Sequence, residues 1–173
     1  NKVKFFQKNL NSASQCYDLV DEFVQWAGWI NILIQLSGNI SRSVYWRNST
    51  EKDWEYDLSM NLIMPFFVAQ RAILYMEPHG GKVILTSTSS ANHGGGSNSL
   101  AYGAAKMGIQ CITKRMAKDC AKYGITVNAI APGFVKSKFH TEKVEMDEDQ
   151  IEERLKSIPL KRSGTLEEVA NTI

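Results

Sequence analysis

The chain predicts an α/β fold of the doubly wound kind, a parallel sheet with helices on both faces. Two observations carry this reading. Short apolar runs at residues 30–36, 82–87 and 125–130 alternate with longer segments of helical pattern. Each run ends in a polar cluster: Gln35-Leu-Ser-Gly38, then residues 86–90, then Ala131-Pro-Gly133. A parallel sheet brings those three clusters to one edge, where ligands bind in such sheets.

Each element has a local cause. Val3 to Phe6 is an apolar run that reads as a strand end. Ser12 or Ser14 can cap a helix whose apolar face is Val20, Phe23, Val24 and Ala27, with Gly28 as its stop. Residues 30–36, Ile-Asn-Ile-Leu-Ile-Gln-Leu, are nearly apolar throughout, as buried parallel strands are. Thr50-Glu-Lys-Asp53 is a variant capping box opening a helix through Trp54 and Leu58. A longer helix is expected from Asn61 to Met76, with Pro65 in its first turns. Gly80-Gly81 turns the chain into the strand at 82–87, followed by a glycine-rich loop to Ser99. A helix from Ala101 to about Lys122 ends at Gly124, and the strand at 125–130 closes on Ala131-Pro-Gly133. Asp147 can cap a helix through Lys156, and Thr165-Leu-Glu-Glu168 opens another.

Composition narrows the possibilities. The 173 residues amount to one domain able to bury a core, with 43% hydrophobic and 22% charged residues. A formal net charge of +2, with no basic stripe, argues against a nucleic-acid partner. No uninterrupted apolar run approaches bilayer length, and Asn1-Lys-Val-Lys-Phe-Phe6 lacks the order of a signal peptide. Neither a membrane nor secretion is therefore expected. Cys16, Cys111 and Cys120 are odd in number and far apart, suggesting free thiols in a reducing, cytoplasmic compartment. His79, His93 and His140 lack metal-ligand spacing, so no metal is expected.

The chemistry is concentrated in Tyr102-Gly-Ala-Ala-Lys106. Residues four apart on a helix share a face, so phenol and ammonium stand one turn apart. At ~4 Å and an effective dielectric near 20, the amine favours the phenolate by roughly 4 kcal/mol. On that basis the tyrosine is expected to have a lowered pKa, able to exchange a proton with an alcohol or carbonyl near neutral pH.

With these segments in order, the chain resembles the short-chain dehydrogenase/reductase family, of Rossmann-type fold. Tyr102-Gly-Ala-Ala-Lys106 matches its Tyr-x-x-x-Lys. The strand running from Gly81 to Ser89 matches the one that ends in its catalytic serine, and Asn128-Ala-Ile-Ala-Pro-Gly133 matches its Asn-x-x-x-Pro-Gly. Asn61 matches its helix asparagine, and the segment to Gly38 takes the place of Asn-Asn-Ala-Gly.

The resemblance implies an enzyme that moves hydride between NAD or NADP and a small carbonyl or alcohol. Tyr102 would be the general acid or base. Lys106 would bind the nicotinamide ribose and lower the tyrosine's pKa, and Asn61 would position a water leading from Lys106. Either Ser89 or Thr88 would hold the substrate oxygen. Asn9, Leu10, Ser37, Gly38, Pro132, Gly133 and Val135 would join Tyr102 and Lys106 around the coenzyme. The resemblance further implies a homodimer or homotetramer and a lid within residues 134–144. Lys156-Ser-Ile-Pro-Leu-Lys-Arg-Ser-Gly164 resembles the 3-oxoacyl-thioester reductases of the family, although sugar and polyol dehydrogenases share the wider pattern.

Two departures bear on this. Gln35-Leu36-Ser37 replaces Asn-Asn-Ala, which keeps open the alternative of a catalytically silent relative that binds nucleotide or a partner. The family's glycine-rich phosphate turn, its first two strands and its last strand have no counterpart here. The chain is therefore expected to be a single incomplete domain from a longer protein, inactive by itself.

Overall fold

The computed structural model describes residues 3–137, 139, 144 and 146–173. Helix α1 (Ala13–Ala27) begins where the Ser12 side chain accepts from the Gln15 N–H, so Ser12 rather than Ser14 is the cap. It stops at Gly28, whose N–H returns to the Val24 carbonyl at 2.7 Å. Cys16 and Val20 are buried, with Phe23 and Val24 packed on the same core, while Ala27 lies exposed at the helix end.

Among the described residues, three parallel strands form the sheet, in the order β1 (Ile32–Ile34), β2 (Gly81–Thr86), β3 (Ile125–Ile130). The register pairs Ile34 with Ile84 and Ile84 with Asn128. Strand β1 is shorter than residues 30–36, although main-chain bonds from Lys82 to Asn31 and from Gln35 to Ile84 extend its pairing at both ends. Val83 and Leu85 of the central strand are fully buried, as a two-sided core requires.

Residues 3–6 do not form the expected strand. No described strand lies beside them to complete a ladder, and Val3 and Phe5 are exposed. Phe6 instead packs edge-on against Phe23 and Trp26 of α1, at 6.4 and 6.2 Å between ring centroids.

The two helices expected around residues 50 and 61 are one. Helix α2 (Glu51–Leu58) starts at a complete Thr50–Asp53 capping box and runs through a π turn at Ser59–Ile63 into α3 (Met64–Met76). Pro65 has no N–H to offer the carbonyl four residues back, that of Asn61, and the wider turn falls on that stretch. The continuous helix Glu51–Met76 reaches bilayer length with an apolar stretch by composition. Its apolar face is core, however: Met64, Val68, Ala69, Ala72, Ile73 and Met76 are buried in the cluster shared with α1 and the sheet. Arg71 ties it to α1, Nε donating to Asp21 Oδ1 at 2.6 Å.

Helix α4 (Leu100–Cys120) packs across β3 and against α2. One 3₁₀ turn and Gly124 then lead into β3. Helices α5 (Glu148–Ser157) and α6 (Leu166–Thr172) start at capping boxes on Asp147 and Thr165, as their sequences require. Of the expected lid, residues 138, 140–143 lie outside the described residues, and so does His140.

Candidate active site

The C-terminal ends of β1 and β2 build the floor of the site. Gln35 is buried there; its Oε1 accepts from the Ser37 N–H at 2.8 Å, and its carbonyl accepts from Thr86 Oγ1 at 2.8 Å. The glutamine that replaces the family's usual residue therefore shapes the turn at Ser37 and Gly38. Asn61, fully buried, meets that turn from the π segment. Its Nδ2 donates to the Asn39 carbonyl at 2.6 Å and the Asp57 carbonyl at 2.9 Å, and its Oδ1 accepts from the Asn39 N–H at 3.1 Å. Lys106 arrives from α4, 3% exposed, with Nζ donating to the Thr86 carbonyl at 2.9 Å.

Gly38 is where these groups converge. A Cβ at that position would lie 2.9 Å from Asn61 Oδ1 and 3.1 Å from Lys106 Nζ. Only a residue without a side chain lets the backbone pass so close to both.

Tyr102 stands one turn before Lys106, as expected, with Lys106 Nζ 5.7 Å from its ring centroid. The ring is half-buried and lies against Phe139 at 5.8 Å between centroids. Its proton affinity differs from expectation. Burial first, and then the negative charge of Asp57, push the Tyr102 pKa up to about 12. Burial also pushes Lys106 down to about 8. Loss of water opposes the charged form of both groups, and the amine is directed to the Thr86 carbonyl. The tyrosine pKa is raised and not lowered, because burial and Asp57 both oppose the phenolate.

The candidate hydroxyls separate by geometry. Thr88 Oγ1 pairs with Ser90 Oγ at 3.1 Å. Ser89 donates its N–H to the Pro132 carbonyl at 3.0 Å, and its Oγ faces Gly133. Ser87 is structural: its buried hydroxyl donates to the Lys106 carbonyl at 2.8 Å. Ser89, Pro132, Gly133 and Val135 line a cavity of about 950 Å³, walled further by Phe134, Ile158 and Val169. Tyr102, Lys106 and Asn61 do not line it, so the cavity does not contain their cluster. A parallel bridge from Val135 to Gly164 fixes its outer wall.

Asn9 and Leu10 stand apart from this group, in the extended segment ahead of α1. Asn9 is exposed and Leu10 packs on the hydrophobic core. Two participants escaped sequence reading. Gln110 Nε2 bridges Ser87 Oγ and Asn92 Oδ1, at 3.1 and 3.2 Å. Asp57 is 3% exposed and accepts from the Ser41 N–H at 2.7 Å. Its place four residues before Asn61, on one helix face, was the available signal.

A family model described as enoyl-(acyl carrier protein) reductase matches residues 1–173, the whole chain. The 3-oxoacyl-[acyl-carrier-protein] reductase FabG of Thermotoga maritima is 34% identical over 172 residues, covering 99% of this chain and 68% of that protein. The chain belongs to the short-chain dehydrogenase/reductase family. The 2-dehydro-3-deoxy-D-gluconate 5-dehydrogenase of Escherichia coli is 36% identical over 148 residues, 84% of this chain and 57% of its own length. The chain thus spans only part of the length of these relatives. Among solved structures, NAD+-bound xylitol dehydrogenase superposes with a TM-score of 0.86 at 23% identity, over 96% of this chain and 69% of that one. A second structure, gox2181, gives 0.88 at 21% identity, over 95% and 65%. Those two likenesses show the shared fold alone, a parallel α/β sheet of Rossmann type.

Proposed function

We propose that this chain carries the catalytic part of an NAD- or NADP-dependent oxidoreductase that interconverts a small carbonyl compound and an alcohol. The observation that carries the proposal is the convergence of Tyr102, Lys106, Asn61 and Gly38 at the ends of β1 and β2. The opening at Gly38 fits a coenzyme, since backbone approaches there without a side chain between it and Lys106. Ser37, Gly38, Lys106, Pro132, Gly133 and Val135 would hold it, with Asn9 and Leu10 as outer contacts. The nicotinamide supplies or takes the hydride when bound.

Tyr102 handles the proton. A phenol whose pKa is pushed up to about 12 is protonated at neutral pH and set to donate rather than accept. That supports reduction of a carbonyl as the direction these residues favour. Ser89 would donate to the same carbonyl oxygen, its neighbours Pro132 and Gly133 fixing the loop; Thr88, paired to Ser90, is the weaker candidate. Asn61 and Lys106 would form the route by which Tyr102 regains its proton.

The relatives act on both 3-oxoacyl thioesters and a sugar acid, to judge by their names, so both classes are candidate substrates. A homodimer or homotetramer fits the exposed Ile63 of the π segment, Leu74 of α3 and Met107 of α4.

The test is loss of reduced-coenzyme absorbance in the full-length protein, with a panel of 3-oxoacyl thioesters and keto-sugars. Tyr102→Phe should lower kcat at least about a hundredfold with coenzyme affinity nearly unchanged. Turnover that survives this substitution would reject Tyr102 as the acid and favour the silent-relative reading.

A further inference from the structure

Asp57 is a buried carboxylate that the mechanism above does not use, and it meets the Ser41 loop, Asn61 and the start of α4. Its Oδ1 accepts the Ser41 N–H at 2.7 Å, fixing the loop that begins at Gly38. Its own carbonyl receives Asn61 Nδ2 at 2.9 Å. The Tyr102 main-chain N–H faces the same carboxyl from α4.

That last relationship has a physical basis. The first turn of a helix leaves N–H groups without partners inside the helix. Ser99, the residue ahead of α4, makes no side-chain cap, because its hydroxyl accepts from the Gly96 N–H at 2.9 Å instead. The first main-chain bond into that turn runs from Gly103 to the Ser99 carbonyl. Tyr102 precedes Gly103, so its N–H is one of the open donors, and a carboxylate from α2 stands against it. A negative charge at a helix N-terminus is favourable.

We propose that Asp57 is a positioning residue for Tyr102: its carboxylate clamps the Ser41 loop to the first turn of α4 and sets its charge against the phenol. The proposal rests on Tyr102 being the proton donor. Among the described residues, none of the groups acting on the Asp57 carboxyl is a cation. From its own helix it faces Asp53, which is already held by Arg42 through Nε and Nη2 at 2.9 Å each. From the loop it faces Ser41, whose hydroxyl has no well-aligned partner, and from α4 it faces Tyr102. Burial raises the Asp57 pKa, the main-chain N–H of Tyr102 works to lower it, and the charge of Asp57 opposes ionisation of the Tyr102 phenol.

Two variants separate clamp from charge. Asp57→Asn keeps an acceptor oxygen and removes the charge, whereas Asp57→Leu removes both. Tyrosine-labelled NMR of the full-length protein follows the phenol directly, its resonance assigned by its loss in Tyr102→Phe. The wild-type resonance should stay still to about pH 10.5, and in Asp57→Asn its midpoint should fall by about one unit. Amide exchange over residues 100–106 should be unchanged in Asp57→Asn and markedly faster in Asp57→Leu. In Asp57→Leu kcat should drop roughly ten- to a hundredfold, more than KM changes, and Asp57→Asn should restore most of it.

A tyrosine midpoint unmoved by Asp57→Asn, or wild-type exchange in Asp57→Leu, would overturn the proposal. Should Asp57→Leu fail to fold, the midpoint in Asp57→Asn decides. Neither NMR nor exchange depends on turnover, so a wild-type protein that transfers no hydride rejects the functional reading while these measurements still decide the role of Asp57.

Discussion

Lys106 Nζ donates to the Thr86 main-chain carbonyl at 2.9 Å, which fixes the amine one turn after Tyr102 to the end of the central strand. The bond costs the amine its water. Its pKa of about 8 lies below the ordinary 10.5, and burial is the cause.

A pH dependence of stability follows. Between about pH 8 and pH 10.5 the unfolded chain holds a proton on this lysine that the folded chain has released. The unfolding free energy therefore rises with pH across that window, by up to roughly 3 kcal/mol from this group. Lys106→Met should abolish the rise. Urea unfolding of both proteins between about pH 7 and pH 10 checks this; parallel curves would refute it.

Gly38→Ala should damage site and fold together. The added methyl meets Asn61 Oδ1 at 2.9 Å and Lys106 Nζ at 3.1 Å, both belonging to buried, hydrogen-bonded side chains with little room to give. Overpacking of this kind costs about 1–3 kcal/mol. Thermal melting should show the loss, and coenzyme titration should show weaker binding. A variant with unaltered melting and affinity would mean that the backbone does not pass as close as described.

Asn61→Ala removes an amide that makes three hydrogen bonds and leaves the Asn39 N–H and carbonyl without it. At about 1 kcal/mol per bond, and more for buried groups left unpaired, a loss of about 2–4 kcal/mol is expected. The exchange rate of the Asn39 amide reports the same event locally. Slow exchange at Asn39 in the variant would show that other contacts hold the turn.

Much of the fold was legible in local chemistry. The boxes at Thr50, Asp147 and Thr165 need only residues three apart, and all three form. The strands at 81–86 and 125–130 follow from short segments rich in β-branched and apolar residues, each bounded by a glycine before it. The strand expected at residues 3–6 failed because a strand needs a partner, which no local pattern supplies. The break expected before Asn61 failed because Pro65 is absorbed by a π turn inside one continuous helix.

By itself the sequence determined that Tyr102 and Lys106 share a helix face, since four residues make about one turn whatever lies around them. It also determined which strand ends carry polar residues. Only the tertiary structure decided how acidic the phenol is, because burial and the Asp57 charge come from elements 45 residues apart along the chain. It likewise decided that Gly38, Asn61 and Lys106 meet at one point. Spacing within an element is fixed by backbone geometry, whereas desolvation and through-space charge depend on which elements pack together.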